Sequence, residues 1–413
     1  MKQRLTHKYF ALLLAAALVL LPGCSVGGKE PEATATAAIP VAEGAFGQGS
    51  NAELSLGLLY AADGGGNEVI GTAGLTGVLA ALRNALGDEG DPALDAALGT
   101  QELSLKTVNE RASALHTVVT GLKNGRFASA WGLFVGENQA IKEEYLVALN
   151  DELQLPTTFE QLEEKTANTV LGSWADDNTG GRVKAVSAKV ATSGAPLFLD
   201  LITADPDWQQ ALDPAHTKAL DFTTADGSKS AVPTLVCQMN CGVYTGEEGS
   251  LAVLPCQGDE TRIVVLLPPE GGDLKEFLKV AGEKFDGWLE LAEWQEQRVL
   301  LPRASLRFEG STKAALKKAG YGAFFAKNAN LDAMGDGLQV ADVLQMAELT
   351  IDESGVDAAD ETADYSPDAD DGVDTLAVNR PFAVLLQQTK TGAILMAGLV
   401  RNPLETAAED DEQ

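Results

Sequence analysis

"DESGVDAADETADYSPDADDGVDTLAVNRPFAVLLQQ", residues 352–388, runs a long acidic segment directly into an apolar one. Before Phe382 its only aromatic residue is Tyr365, and carboxylates crowd the rest. A run this poor in apolar residues cannot bury enough surface to fold by itself, so composition alone makes it a solvated linker. The flanks raise a different possibility. Ala347–Ile351 before it, and Phe382–Gln388 and Ala393–Val400 after it, read as short buried strands. The question is why a chain with a sizeable core exposes so much acidic backbone between two apolar stretches, so near its C-terminus.

The chain has 413 residues, 45% of them hydrophobic and 22% charged, which is globular usage. Length alone suggests two or three domains. The formal charge of −30 argues against nucleic acid, whose phosphates need Lys and Arg, and favours a basic partner. At the N-terminus, Lys2, Arg4 and Lys8 precede an apolar core, Phe10–Leu21, that ends in Leu21-Pro22-Gly23-Cys24. Residues 1–23 read as a secretory signal. The LPGC ending resembles a bacterial lipobox, in which Cys24 is lipidated and becomes the mature N-terminus; the alternative is an ordinary signal with a chance cysteine. Loss of those three cations takes the net charge to −33. Residues 24–50, rich in Gly, Ala, Pro and Thr, read as a flexible tether. A folded body over 51–403 and an acidic tail over 404–413 follow. No later stretch is apolar enough to span a bilayer, so the expected address is a lipid-anchored position at a bacterial surface or membrane.

Three cysteines follow Cys24: Cys237, Cys241 and Cys256. An exported context permits one disulfide, and buried thiols are the other reading. Along the body, Ala52–Ala61, Leu75–Leu86, Lys142–Leu153 and Leu162–Asp177 carry apolar residues at helical spacing. Ala128–Val135 is a continuous apolar run, hence a strand buried on both faces. From Pro196 strands dominate: 197–203, 231–239, 242–245, 251–255, 262–268 and 299–308, the last with Arg303 and Arg307 on one face. Ser311–Gly320 is a short helix closed by Gly320. Helices early and strands late predict an α+β architecture. Enzymatic readings find little support. Only His116 and His216 survive signal removal, and no HExxH, G-x-S-x-G, P-loop or Gly-rich dinucleotide motif is present. No cofactor or metal site is expected.

Four stretches, in order, resemble the serpin family: SAWGLFVGENQAIKEEYL (129–146), NTVLGSWADDNTGGRV (168–183), VLLPRASLRFEGSTKAALKKAGYGAFF (299–325) and NRPFAVLLQQTKTGAILMAGLVRNP (379–403). The resemblance implies one domain, not two or three. That domain would be a serpin-like fold with three β-sheets, eight or nine helices and an exposed reactive-centre loop at about 353–378. It implies a monomer that inhibits a serine or cysteine protease as a suicide substrate and is not itself an enzyme. The loop is cleaved, inserts as a new strand into the largest sheet, and drags the bound protease with it.

By the same resemblance the hinge begins Glu353-Ser354-Gly355, with Val356, Ala358, Asp360 and Thr362 sharing the face that goes under the sheet. Asp360 is the misfit there, because an unpaired buried carboxylate is penalised by several kcal/mol. Counting from Glu353 puts the scissile bond after Ala369; counting back from Asn379–Phe382 puts it after Asp370, before Asp371. Ala369 suits an elastase-like pocket and Asp370 an Asp-specific protease, with the surrounding carboxylates favouring a basic cleft. Three further positions depart from the family pattern: Gly71–Gly74 where many members have Ser-Pro-x-Ser, Asp200 for Asn, and Gln345 for His. They put the insertion machinery in question. The alternative reading is therefore a non-inhibitory surface protein that uses the acidic loop as an interaction arm.

Overall fold

The computed structural model describes residues 51–100, 103–186, 194–353 and 372–405. Eight α-helices occur among them: α1 (Ala52–Ala62), α2 (Thr72–Ala85), α3 (Pro92–Leu98), α4 (Leu105–Gly121), α5 (Glu143–Val147), α6 (Ala167–Asn178), α7 (Leu274–Leu291) and α8 (Lys313–Lys318). The strands of the first half are β1 (Glu68–Gly71), β2 (Gly125–Val135), β3 (Thr157–Phe159), β4 (Leu197–Pro206) and β5 (Lys218–Thr223). Those of the second are β6 (Lys229–Gly246), β7 (Gly249–Pro255), β8 (Thr261–Leu267), β9 (Glu293–Pro302), β10 (Ala304–Ser311), β11 (Asp342–Ile351), β12 (Thr375–Ala377), β13 (Phe382–Gln388) and β14 (Ile394–Val400).

Local chemistry sets several of these boundaries. Asp91 caps α3 through the amides of Ala93 and Leu94, with Pro92 at the first helical position, and Gly99 closes the helix in the left-handed region. Asp273 accepts from Glu276 N at 2.8 Å and starts α7. The run Ala128–Val135 is wholly buried in β2, as expected for a strand covered on both faces. Trp131 and Leu133 pack into the core with α2 and α4, while Ala130 and Phe134 pack with α6.

The described strands join into two hydrogen-bonded sheets rather than three. One has five strands in the order β10–β11–β4–β2–β3; the other has nine, β1–β14–β13–β8–β7–β6–β9–β12 with β5 on the edge of β6. The expected third sheet merges because β6 is a single 18-residue strand. It pairs with β5 at its start, β9 in the middle and β7 at its end. The sequence reads it as two strands, 231–239 and 242–245, but the chain passes straight through Asn240 and Cys241. A second difference lies at 299–308, where β9 ends at Pro302 and β10 begins at Ala304, with Arg303 at the corner. Helices α3, α4 and α7 add to those read from the residues. All three cysteines are free and buried, so the disulfide alternative falls; burial pushes the Cys241 thiol up to about 11 and Cys256 to about 12.

Candidate functional site

The acidic segment departs from the end of β11 and returns at β12. Residues 354–371 lie outside the described residues, and with them Gly355, Val356, Ala358, Asp360, Thr362, Ala369, Asp370 and Asp371. Cys24 also lies outside them. Glu353 and the returning strand are described, and both roots are tied down. Arg303, at the β9–β10 corner, donates to both carboxylate oxygens of Glu353, Nε to Oε2 at 2.7 Å and Nη2 to Oε1. The Thr217 hydroxyl donates to Oε1 as well. Trp208, fully buried, donates its indole N–H to the carbonyl of Asp352 at 2.7 Å. Three segments therefore converge on the outgoing root.

At the returning root, Thr375–Ala377 pairs in parallel with Arg298–Leu300 of β9. The Arg298 amide donates to Asp374 O at 2.9 Å, and its buried guanidinium forks onto Gln238 Oε1 at 3.1 and 2.7 Å. Arg380 then donates twice to Pro268 O. Sequence reading singled out Glu353 but not Arg303 or Arg298, whose roles need the sheet corner and the β6–β9 register.

Below the outgoing root lies the seam on which insertion would act. β4 and β11 are direct parallel neighbours from Leu197↔Asp342 to Ala204↔Leu349. No described strand separates them, so the sheet is closed along this line. Most of the seam is aliphatic, but its middle is polar. Asp200 and Gln345 are register partners, 0% and 1% exposed, and Gln345 Nε2 donates to Asp200 Oδ2 at 2.6 Å. Gln345 also closes a ring with the backbone of Gly71, donating to its carbonyl at 3.0 Å and accepting from its N–H at 3.1 Å. The three departures noted in the sequence are thus one cluster, at the start of α2.

That cluster is under-satisfied. Asp200 Oδ1 and Thr72 Oγ1 are both buried without a hydrogen-bond partner. Burial pushes the Asp200 carboxyl up to about 7, and the Gln345 hydrogen bond pulls only partly back. The start of α2 favours an anion by up to about 2 kcal/mol, yet none of its N–H groups donates to Oδ1. Gly74 explains the close fit: a Cβ there would fall 1.7 Å from Oδ1. Nearby, His116 stacks on Trp131 with ring centroids 4.3 Å apart, and burial lowers it to about 4. It is a neutral packing group and not a base for chemistry at neutral pH. Among the described residues no set of three His, Cys, Asp or Glu converges to hold a metal.

The family profile described as Serpin (serine protease inhibitor) matches residues 53–403. The chain belongs to the serpin family. Human Serpin I2 is 25% identical over 294 residues, 67% of this chain and 71% of its own. Mouse Antithrombin-III is 27% identical over 300 residues, covering 68% and 63% of the two chains. Among solved structures, the thermophilic serpin tengpin in the native state superposes with a TM-score of 0.75 at 19% identity, covering 85% of this serpin and 93% of that chain. Mouse protein-Z dependent protease inhibitor gives 0.72 at 20%, covering 86% and 96%. Those likenesses show the fold, α+β with the five- and nine-stranded sheets described above. No helix among the described residues is long and apolar enough to cross a membrane.

Proposed function

We propose that this serpin is an exported, lipid-anchored bacterial inhibitor that traps a serine or cysteine protease as a suicide substrate. The observation that carries the reading is the closed β4–β11 seam lying directly below a loop held at both roots. The protease supplies the catalysis. Its nucleophile attacks the carbonyl carbon of Ala369 or Asp370, the peptide C–N bond breaks, and the proton leaves with the new amine. An acyl-enzyme then links the protease to the N-terminal part of the loop. Freed from β12, that part slides between β4 and β11, where each edge offers a ladder of backbone groups. Trapping requires this to finish before water reaches the acyl bond. With Asp-specific and elastase-like candidates both open, a basic cleft on the target is the shared feature favoured by the acidic loop.

The second reading, an uncleaved or merely cleaved interaction arm, is favoured by one coincidence. Insertion would bring Asp360 beneath a sheet that already buries Asp200 without a full set of partners. The test is to incubate the mature protein with elastase-like, trypsin-like, subtilisin-like and Asp-specific proteases and look for SDS-stable complexes. Inhibition predicts such a complex with at least one class and a higher complex-to-cleaved ratio for Asp360→Ala. Clean cleavage by all of them, with no complex from either variant, refutes it.

A further inference from the structure

We propose that the Asp200 carboxyl is a proton-operated latch on the β4–β11 seam, closed when protonated and loosened when ionised. Asp200 and Gln345 face each other across the one strand boundary that must part, so any opening breaks their bond. A strand placed between them separates their backbones by a further step of about 4.8 Å. Closed, the seam gives Asp200 one donor for two oxygens, with Oδ1 pressed against Gly74 and unpartnered. A neutral carboxyl tolerates that dry setting; a carboxylate is penalised until the strands part and water or new donors reach it.

No other charge can take over the control. β11 presents neutral Gln345, the end of β1 presents Gly71, and α2 presents Thr72 and Gly74, with only its partial dipole charge. β2 places Trp131 in register with Asp200, and His116 of α4 lies on that ring, neutral above about pH 4. β1 carries Glu68 three residues from Gly71, its carboxylate accepting from Gly64 N. None of these charges figures among the causes of the Asp200 shift.

The sign follows. A carboxyl raised above its unfolded value of 3.8 stabilises the closed form fully below about pH 4, and that contribution is lost as pH rises through 7. His116 acts in the opposite direction, weakening the fold as pH falls from about 6.5 to about 4, so the two are separable by variant. For the proposed inhibitor, acid would hold the sheet shut and neutral to alkaline pH would prime it. That consequence rests on the insertion reading; the latch itself does not.

Hydrogen exchange on the full chain from pH 5 to 8, corrected for intrinsic rates, tests it in the wild type and in Asp200→Asn. The ratio of wild-type to variant protection at β4 and β11 amides should fall roughly a hundred-fold over that range, with His116 cancelling because both proteins carry it. A ratio that does not change with pH, in Asp200→Asn or, where that variant fails to fold, in Asp200→Ser, overturns the latch. If the seam titrates but loop cleavage yields no gain in thermal stability, the inhibitor reading falls and the latch stands. If cleavage stabilises and the seam does not titrate, the reverse holds.

Discussion

Two strand pairs in the sheets of this serpin are both largely buried and differently made. β13 and β14 in the nine-stranded sheet are antiparallel and covered along their whole length, apolar throughout except for Gln387 and Gln388 at the end of β13. β4 and β11 in the five-stranded sheet are parallel and carry Asp200 and Gln345 at their middle. A parallel ladder is slightly weaker per residue than an antiparallel one. Apolar surface in β13–β14 can only lose by opening, whereas the polar cluster in β4–β11 trades one hydrogen bond and two orphan oxygens for water or a new strand. The contrast suggests that the nine-stranded sheet is the frame and the seam is the moving part.

The largest expected effect lies in the frame. Leu385→Ala removes a fully buried side chain from β13 and should destabilise by about 2–5 kcal/mol in urea unfolding, before and after loop cleavage alike. A much smaller loss would mean the frame is as plastic as the seam. Gly74→Ala comes next, because its methyl would overlap Asp200 Oδ1. Overpacking of this kind is penalised by roughly 1–3 kcal/mol, and adding Asp200→Ser should recover much of it. Additive losses in the double variant would show that the two residues do not compete for the same space. Arg303→Ala should have the mildest effect, about 1 kcal/mol, since the Arg303 side chain is 42% exposed while that of Glu353 is 8% exposed. Its diagnostic sign is faster amide exchange confined to the Glu348–Ile351 end of the seam; a change spread over β13 and β14 would break the division drawn here.

Much of this was legible in the sequence because it rests on local pattern. The continuous run Ala128–Val135 could only be a strand covered on both sides, and the four family-like stretches placed β2, α6, β9 to α8, and β13 with β14 in order. Glu353 was singled out only through the resemblance of Glu353-Ser354-Gly355 to the family's hinge pattern. The departures at Gly71–Gly74, Asp200 and Gln345 were each visible, but not that they touch, since 129 residues separate Gly71 from Asp200 and only the sheet closes that distance. Arg303 looked like one of two cations on a strand face; the corner between Pro302 and Ala304 turns it toward Glu353 instead. β9 was hidden at its start by four exposed positions, Glu293–Glu296, three of them polar and the fourth Trp294, where period-two alternation is absent. The single strand β6 was hidden by Asn240, a polar residue that sits exposed between buried Met239 and Cys241.

The central claim is that the β4–β11 seam opens to take up the cleaved loop. Thermal unfolding of the intact protein and of the same protein cut once within residues 354–371 tests it most directly. Insertion adds a buried strand, so the cut form should melt more than about 10 °C above the intact one, as several kcal/mol would require at roughly 2–4 °C each. A cut form that melts at or below the temperature of the intact protein would contradict the account and leave the acidic loop as an interaction arm.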